Sequence, residues 1–248
     1  MATVHKSPVL TLRCRDWSET SQVVQLLARD VGRVRCLAKG SKRGRNPFGG
    51  PLDRWTFGEA VFSLRDPNRL AVLMELYETE RFDGLRRQLR AFFGASLVTE
   101  LILALVPEVE RQPAVFDLSV AALRLLAGVE PEACRAVSFA FAWRLLALLG
   151  YGPRMGRCAA CGRPLEVGSP VDFSAVQGGA VCGRCQPQRG TRRLSARAAE
   201  AVAFLATADW DEIKRVRLSD ATAGQIRGVL SDRLLELAGR ELSAVKYV

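Results

Sequence analysis

The amino-acid sequence predicts an α+β multidomain protein: a small N-terminal β-barrel of OB-fold type, a helical bundle, and a four-cysteine zinc ribbon inserted within the bundle. Three observations lead to this prediction. Residues 7–80 alternate between apolar and polar side chains, which is the pattern of half-buried strands. From Asp83 onward the apolar residues recur at helical spacing. Two Cys-x-x-Cys pairs interrupt the helical part, and paired motifs of this kind are typical of zinc ribbons.

The barrel is predicted from five short strands. In the first strand Leu10, Leu12 and Cys14 share one face, and the residues between them face the other way. Five strands of this length are enough to close a barrel of the size of an OB-fold. An SH3-like barrel has the same number of strands, so the periodicity alone leaves both topologies open. The predicted strands cover residues 9–15, 22–28, 33–39, 55–64 and 70–80.

The helical bundle is predicted in two parts, on either side of the cysteine motifs. An apolar stripe that includes Leu85, Leu89 and Leu101 ends at Pro107. A helix that begins at Pro131 is apolar on almost every side, so we expect it at the centre of the bundle. Other helices are expected over residues 113–128, over 196–206 with Ser195 as N-cap, from Asp209, and over 220–237. The predicted domains are residues 1–80 (barrel), 81–150 (first part of the bundle), 151–193 (zinc ribbon) and 194–248 (second part of the bundle).

Four cysteines form the most specific motif: Cys158, Cys161, Cys182 and Cys185. Each Cys-x-x-Cys pair presents two thiolates from one tight turn, and two facing pairs complete a tetrahedron around a zinc ion. Two disulfides, a redox pair and an iron–sulfur centre are the alternatives, since four thiolates suit iron as well as zinc. One structural Zn²⁺ is the predicted cofactor. A catalytic zinc keeps one position open for water, and four cysteines leave none.

The composition argues against several classes of function. The only histidine, His5, lies in an N-terminal tail that we expect to be frayed, so the sequence offers no Ser-His-Asp or Cys-His mechanism. It also offers no spaced carboxylate cluster for a two-metal nuclease, and we expect no enzyme activity. The chain begins without a secretory signal, and its apolar runs are too short to span a bilayer. A cytoplasmic, nucleoid-associated location is therefore expected.

The net charge of +10 calls for an acidic partner, of which nucleic acid is the commonest. The excess is concentrated in two places. Residues 1–80 hold 13 Lys and Arg against 9 Asp and Glu, and residues 151–193 hold 7 against 2. Seven of the basic residues fall between Arg29 and Arg45, partly on a predicted strand and partly in the Gly-rich loop 40–50. This region is the predicted phosphate-binding surface.

Aromatic residues accompany this basic region. Trp17, Phe48, Trp55 and Phe57 lie in it or beside it and are candidates to stack on unpaired bases, although Phe57 also fits a barrel core. Basic charge interleaved with aromatic rings on a small barrel is a pattern of single-strand binding. The alternative is a solvated charged face with the aromatic rings in the core. The candidate DNA-binding residues are Arg13, Arg33, Arg35, Lys39, Lys42, Arg43, Arg45 and Trp55.

The order and spacing of these motifs resemble the RecO family of bacterial recombination and repair mediators. The first strand with its Arg-Asp-Trp-Ser-Glu end, the Lys-Gly-Ser-Lys-Arg loop and the Leu-Leu-Gly-Tyr-Gly-Pro segment before the cysteines are all similar to that family. From about residue 194 only the helical character is similar. The segments that carry the resemblance are residues 9–19, 32–34, 38–43, 145–153, 172–174 and 178–182.

The resemblance implies an OB-fold, a helical bundle and a zinc ribbon inserted in the bundle. It implies binding to single- and double-stranded DNA and annealing of complementary strands. It also implies partnership with RecR, with the acidic C-terminal tail of single-stranded DNA-binding protein and, indirectly, with RecA. The family's basic barrel patch falls here on Arg33, Arg35, Lys39, Lys42, Arg43 and Arg45. The alternative function is a zinc-stabilised adaptor that docks acidic proteins and binds DNA incidentally.

Overall fold

A computed structural model describes residues 2–166, 168–185 and 190–248, and the chain divides into two compact units. The first unit comprises Met1–Asp83 and Val106–Arg124. The second comprises Gly84–Leu105 and Leu125–Val248. Strands dominate the first unit and helices the second, which confirms the predicted α+β class. Among the described residues, no helix is both long and apolar enough to cross a membrane.

The first unit is built on a closed five-stranded barrel with the strand order β1-β2-β3-β5-β4. Neighbouring strands are antiparallel except β3 and β5, which run parallel where Cys36 faces Ala71. The barrel is OB-like, so this topology decides between the two predicted alternatives. The strands are β1 (Thr3–Asp16), β2 (Gln22–Ala28), β3 (Gly32–Ala38), β4 (Phe57–Leu64) and β5 (Ala71–Glu80).

Strand β1 is twice as long as predicted and corrects two expectations. His5 is not in a frayed tail: it pairs with Phe62 of β4, and the two rings stack at 5.5 Å. The pairing register between β1 and β2 shifts between Thr11 and Arg13, so the strand bends there. The bend turns Thr11 inward, where its hydroxyl donates to the carbonyl of Asp53 at 2.7 Å. A regular alternation read from the sequence could not contain this bulge.

The barrel core contains residues of several strands, including Val34 and Cys36 of β3, which the alternation predicts to face inward. Val24, Leu26, Val34, Cys36 and Phe62 are all fully buried or nearly so. They come from three different strands, so the apolar surface of each strand is buried against the others. Burial of this kind contributes about 25 cal/mol for each Å² of apolar surface removed from water.

The segment from Val106 to Arg124 belongs with the barrel, whereas the helical spacing placed it with the bundle. Glu108 forms a parallel bridge to Arg33, and the amide of Val109 donates to the carbonyl of Arg33 at 2.8 Å. Gly32 permits this approach: a Cβ there would lie 2.0 Å from the carbonyl oxygen of Glu110. With φ at +93°, Gly32 also adopts a backbone conformation that other residues disfavour.

The second unit is helical, with the cysteine segment between α4 and α5. Helix α4 has Phe139, Phe141 and Trp143 fully buried, which confirms its predicted central place. Leu89, which was predicted to lie on the buried apolar stripe, is exposed. The helix is interrupted at Gln88, between α1 and α2, so Leu89 does not continue the stripe of Leu85. The helices are α1 (Gly84–Arg87), α2 (Leu89–Leu105), α3 (Pro113–Gly128, which begins in the first unit), α4 (Pro131–Leu148), α5 (Ala196–Thr207), α6 (Trp210–Ile213) and α7 (Asp220–Ala238), followed by a 3₁₀ turn (Ala244–Tyr247).

The cysteine segment carries a small antiparallel sheet with the order β7-β6-β8. Its strands are β6 (Val171–Ser174), β7 (Gly179–Val181) and β8 (Thr191–Leu194). Immediately after β8, Ser195 caps α5 as predicted, accepting a hydrogen bond from the amide of Ala198. On this side, a single residue separates the ribbon from the next helix of the bundle.

Candidate metal centre and nucleic-acid interface

The two cysteine pairs meet in the structure. The four sulfur atoms of Cys158, Cys161, Cys182 and Cys185 all lie within 4.8 Å of one another. The Sγ atoms of Cys161 and Cys182 are 3.9 Å apart. A tetrahedral zinc with Zn–S bonds of about 2.3 Å requires sulfur–sulfur distances of about 3.8 Å. The cluster therefore has the donor atoms and the spacing to bind a metal ion, and all four cysteines are free thiols.

Backbone hydrogen bonds prepare the first pair for metal binding. The amide of Cys182 donates to the Cys158 sulfur at 3.4 Å. Backbone donors of this kind, chiefly from Cys182 and Cys161, lower the pKa of Cys158 to about 6. Hydrogen bonds with the sulfurs of Cys161 and Cys182 favour the protonated thiol of Cys185 and raise its pKa to about 12, and the charge on the same sulfurs adds to the penalty for a further thiolate. A cation among the sulfurs removes that penalty, so the donor set fits a divalent metal.

The turns around the cluster are only partly as predicted. Gly162, which follows the first pair, has φ at +74° and donates to the carbonyl of Cys158 at 2.9 Å. Gly183 has no positive φ, so the freedom expected at the second pair is not used. Among the described residues, the buried cluster around the sulfurs consists of Cys158, Ala159 and Val181, whereas Phe173 of β6 packs against Trp143 of α4, with ring centroids 5.9 Å apart.

An arginine that the sequence analysis missed fixes the ribbon to the bundle. Arg233 of α7 is buried and donates to the carbonyl of Ala175 at 2.8 Å, in the turn between β6 and β7. Gly178 leaves room for its guanidinium, since a Cβ there would lie 2.7 Å from Arg233 Nη2. Arg233 follows Ile226 and Leu230 on the apolar face of α7, and this inward position was the available signal.

The predicted basic residues of the barrel divide into two groups. Arg33 and Arg35 both pair with Glu108, at 3.4 and 3.0 Å, and the Arg33 side chain is only 14% exposed. Arg33 also donates to the carbonyl of Val106 at 3.0 Å. These bonds hold Arg33 against the segment after α2, so the prediction that it faces outward to a ligand is wrong. Glu108 lies 73 residues beyond Arg35, and the sequence around it gives no signal from which this pairing could be predicted.

The second group lies in the loop after β3. Lys39, Arg43 and Arg45 are exposed and, among the described residues, make no side-chain ion pair. Lys42 is partly buried and pairs with Asp16 at 2.7 Å. We call Lys39, Arg43 and Arg45 the open trio.

A row of polar side chains adjoins the loop on the barrel. In the strand register Arg13 of β1 stands opposite Gln25 of β2, which stands opposite Arg35 of β3. Arg13 is exposed, and Arg35 keeps 40% of its side chain in solvent although it pairs with Glu108. The structure therefore places both arginines in one row across three neighbouring strands.

The aromatic candidates separate clearly by exposure. Trp55 is completely buried, with the Arg54 guanidinium 4.3 Å from its ring, so the prediction that it stacks on a base is wrong for this conformation. Phe48 is 5% exposed, and Phe57 packs against Phe116 at 6.3 Å. Trp17, at the end of β1, is 64% exposed. Of the four aromatic residues, Trp17 alone is available for stacking.

Arginines of the cysteine segment are mostly engaged within the protein. Arg192 pairs with Asp232, and Arg193 pairs with Asp172 at 2.8 Å. Arg154 donates to the carbonyl of Gln177 and Arg157 to that of Gly162. Two others, Arg163 and Arg184, are exposed, and Arg189 lies outside the described residues.

The structure defines a modular class of protein that combines an OB-like barrel with exposed cations, a helical unit and a four-cysteine ribbon. Comparison with known proteins gives the family. Residues 1–79 match the model of the Recombination protein O N terminal domain, and residues 86–244 match that of the C terminal domain. The chain belongs to the RecO family.

Several curated relatives agree. "DNA repair protein RecO" of Symbiobacterium thermophilum is 31% identical over 242 residues, covering 96% of this chain and 94% of the relative. The protein of the same name in Rhodopirellula baltica is 32% identical over 209 residues, covering 84% of this chain and 72% of the relative. The protein of the same name in Pelotomaculum thermopropionicum is 35% identical over 182 residues, covering 73% of this chain and 68% of the relative. Membership of this family supports a role in DNA repair.

Proposed function

We propose that this protein is a non-catalytic recombination mediator that binds single- and double-stranded DNA and anneals complementary strands. The open trio of Lys39, Arg43 and Arg45 carries this proposal, because these three exposed cations lie in one loop of an OB-like barrel and pair with no carboxylate in the described parts of the chain. Barrels of this kind bind oligonucleotides on their strand face and adjoining loops. The row containing Arg13 and Arg35 extends the same charge onto the strands.

Annealing follows from charge neutralisation. Two complementary strands repel each other through their phosphates, and each Lys or Arg that contacts a phosphate reduces that repulsion. Binding releases condensed counterions, which supplies affinity and makes that affinity fall as salt rises. The open trio can adapt to either strand form because exposed lysine and arginine side chains contact phosphates without reading base sequence.

The cysteine cluster would hold one structural Zn²⁺ through Cys158, Cys161, Cys182 and Cys185. When bound, this ion would supply folding free energy to the two cysteine turns, around which the described residues form only a small buried cluster. Four thiolates would leave no position for a reacting water, so the ion would have a structural and not a catalytic role.

The proposed role includes partners that family membership suggests. With RecR, the protein would help to load RecA onto DNA coated by single-stranded DNA-binding protein, whose acidic tail it would contact directly. Such partners would place the protein with the nucleoid in the cytoplasm. The net charge of +10 favours both DNA and an acidic tail as ligands.

The experiment is an annealing and binding assay with a charge-matched control. The test variant replaces Lys39, Arg43 and Arg45 by alanine. The control variant replaces Arg197, Arg215 and Arg240, three exposed arginines of the second unit, and loses the same charge. Each lost contact on a single strand removes about 0.7 from the slope of log affinity against log salt, so the test variant should lose about two units and anneal more slowly.

Two results would count against the proposal. Equal slopes and equal annealing rates in the test variant and the wild type would show that the open trio does not contact phosphates. Binding of an acidic tail peptide at physiological salt, with no binding of oligonucleotides, would establish the adaptor function instead. Complementary oligonucleotides bearing a fluorophore and a quencher report the annealing rate directly.

A further inference from the structure

The tip of the β1–β2 hairpin carries a large apolar side chain in solvent. Trp17 is 64% exposed, whereas Trp55 and Trp143 are fully buried and Trp210 lies beneath the guanidinium of Arg144 at 4.1 Å. A solvent-exposed tryptophan ring leaves apolar surface in water, and burial of aromatic surface is among the largest favourable terms in recognition. At this exposure most of the Trp17 ring is in solvent and is not packed in the barrel core.

Hydrogen bonds hold this tip in a defined shape. The amide of Trp17 donates to the carbonyl of Ser21 at 2.9 Å, which closes the turn. The following loop is tied to the same turn, since the amide of Lys42 donates to the carbonyl of Thr20 at 3.0 Å. The Lys42 ammonium also pairs with Asp16, next to the tryptophan. The hairpin tip and the start of the basic loop therefore form one preorganised surface.

Charge surrounds the tryptophan on this surface. Arg15 is exposed two residues before it, and the open trio lies in the loop that Lys42 ties to the hairpin. Cations that contact phosphates, beside an aromatic ring that contacts a base, are the two components of a site for unpaired nucleic acid. A base-paired duplex hides the faces of its bases, so a protruding ring gains little from it.

We propose that Trp17 stacks on an unpaired nucleobase and gives the protein a preference for single strands with intact bases. This inference rests on the proposed DNA binding and adds what that proposal lacks, namely contact with bases as well as phosphates. In annealing, a base held on Trp17 is exposed to a complementary strand while the open trio neutralises the phosphates on either side.

The test compares two ligands of equal charge: a short oligothymidylate and an oligonucleotide of the same length whose sugars lack bases. Wild-type protein should bind the oligothymidylate more tightly. Because stacking on one aromatic ring changes the affinity roughly five- to hundredfold, Trp17→Ala should remove most of that preference while leaving affinity for the abasic ligand unchanged. Trp17→Phe keeps a ring and should retain much of the preference.

Intrinsic fluorescence supplies a second readout. Oligothymidylate should quench the emission of the wild type, and this quenching should disappear in Trp17→Phe even though the variant still binds. Circular dichroism of each variant controls for folding, which an exposed side chain should not disturb.

The outcomes separate the two proposals. If the wild type binds both ligands equally, or if Trp17→Ala keeps the preference, Trp17 does not stack and the DNA-binding proposal still stands. If the wild type binds neither ligand, both proposals fall together.

Discussion

The barrel and the cysteine ribbon of this protein are stable for different reasons. In the barrel every strand has two hydrogen-bonded neighbours, and a core of aliphatic and aromatic residues fills the interior. In the described part of the ribbon, the buried cluster around the sulfurs is Cys158, Ala159 and Val181, and Phe173 packs instead against Trp143 of the helical unit. A few buried residues cannot offset the conformational entropy of ordering such a segment. We therefore expect the barrel to fold on apolar burial, and the cysteine end of the ribbon to depend on metal ligation and on its anchoring to the helices.

The largest expected effect comes from removing a metal ligand. Structural zinc contributes on the order of 10–16 kcal/mol in small zinc domains, so Cys158→Ser should lose the metal and most order in the ribbon. Zinc content per chain and hydrogen exchange of residues 158–185 measure both. The barrel should keep its hydrogen-exchange protection, because its core contains none of these ligands.

Cys134→Ser is the matched control, since this cysteine lies outside the cluster. It should keep one zinc per chain. Full zinc content in Cys158→Ser, or equal loss in both variants, would contradict the assignment of the four ligands.

A core truncation should produce the reverse pattern. Phe62 is fully buried in the barrel, so Phe62→Ala should lower the free energy of unfolding by about 3–5 kcal/mol. Urea denaturation followed by circular dichroism measures the change, and zinc content should stay at the wild-type level. Val61 lies on the outward side of the same strand, so Val61→Ala should lower the free energy of unfolding much less. A large zinc loss in Phe62→Ala would show that the two regions do not fold independently.

The smallest of the three effects concerns the anchor between ribbon and bundle. Arg233→Ala leaves the carbonyl of Ala175 without its donor, and an unsatisfied buried polar group costs about 1–3 kcal/mol. The variant should bind zinc but release it faster to a chelator, because the ribbon opens more often. Arg240→Ala, on an exposed arginine beyond α7, is the control. Release at the wild-type rate from Arg233→Ala would show that the Arg233 hydrogen bond does not limit opening of the ribbon.

Much of the fold could be predicted because it depends on local pattern. The approximate positions of the five barrel strands, the buried helix α4, the start of α3 at Pro113 and the cap at Ser195 all follow from spacing and from the preferences of single residues, whereas the three short strands of the ribbon were not predicted. The metal cluster could be predicted for the same reason, since two Cys-x-x-Cys turns need only to face each other. These features are determined by residues close together in the chain.

The remaining features depend on contacts that sequence spacing does not contain. Trp55 looked like a surface aromatic in a basic region, but its φ of +60° and its hydrogen bond to Thr11 take it out of the strand and into the interior. Arg33 lies on the outward face of β3, as the alternation predicts, but it forms an ion pair with Glu108, which comes from a segment distant in sequence. Patterns indicate which way a side chain leaves its strand, and they do not show what covers that face.

The bridge between Arg33 and Glu108 has a consequence for how partners are recognised. Strand β3 pairs with β5 only from Cys36 to Ala38, and the segment at Glu108 covers the edge of β3 before that point. A bare strand edge is the usual template for adding a foreign strand, in peptide recognition and in aggregation alike. In this protein the exposed part of the β3 edge at Arg33 is covered by the chain's own segment at Glu108. We therefore expect any partner peptide at this part of the barrel to be bound by side chains on the faces and loops of the barrel, and not by backbone pairing along β3.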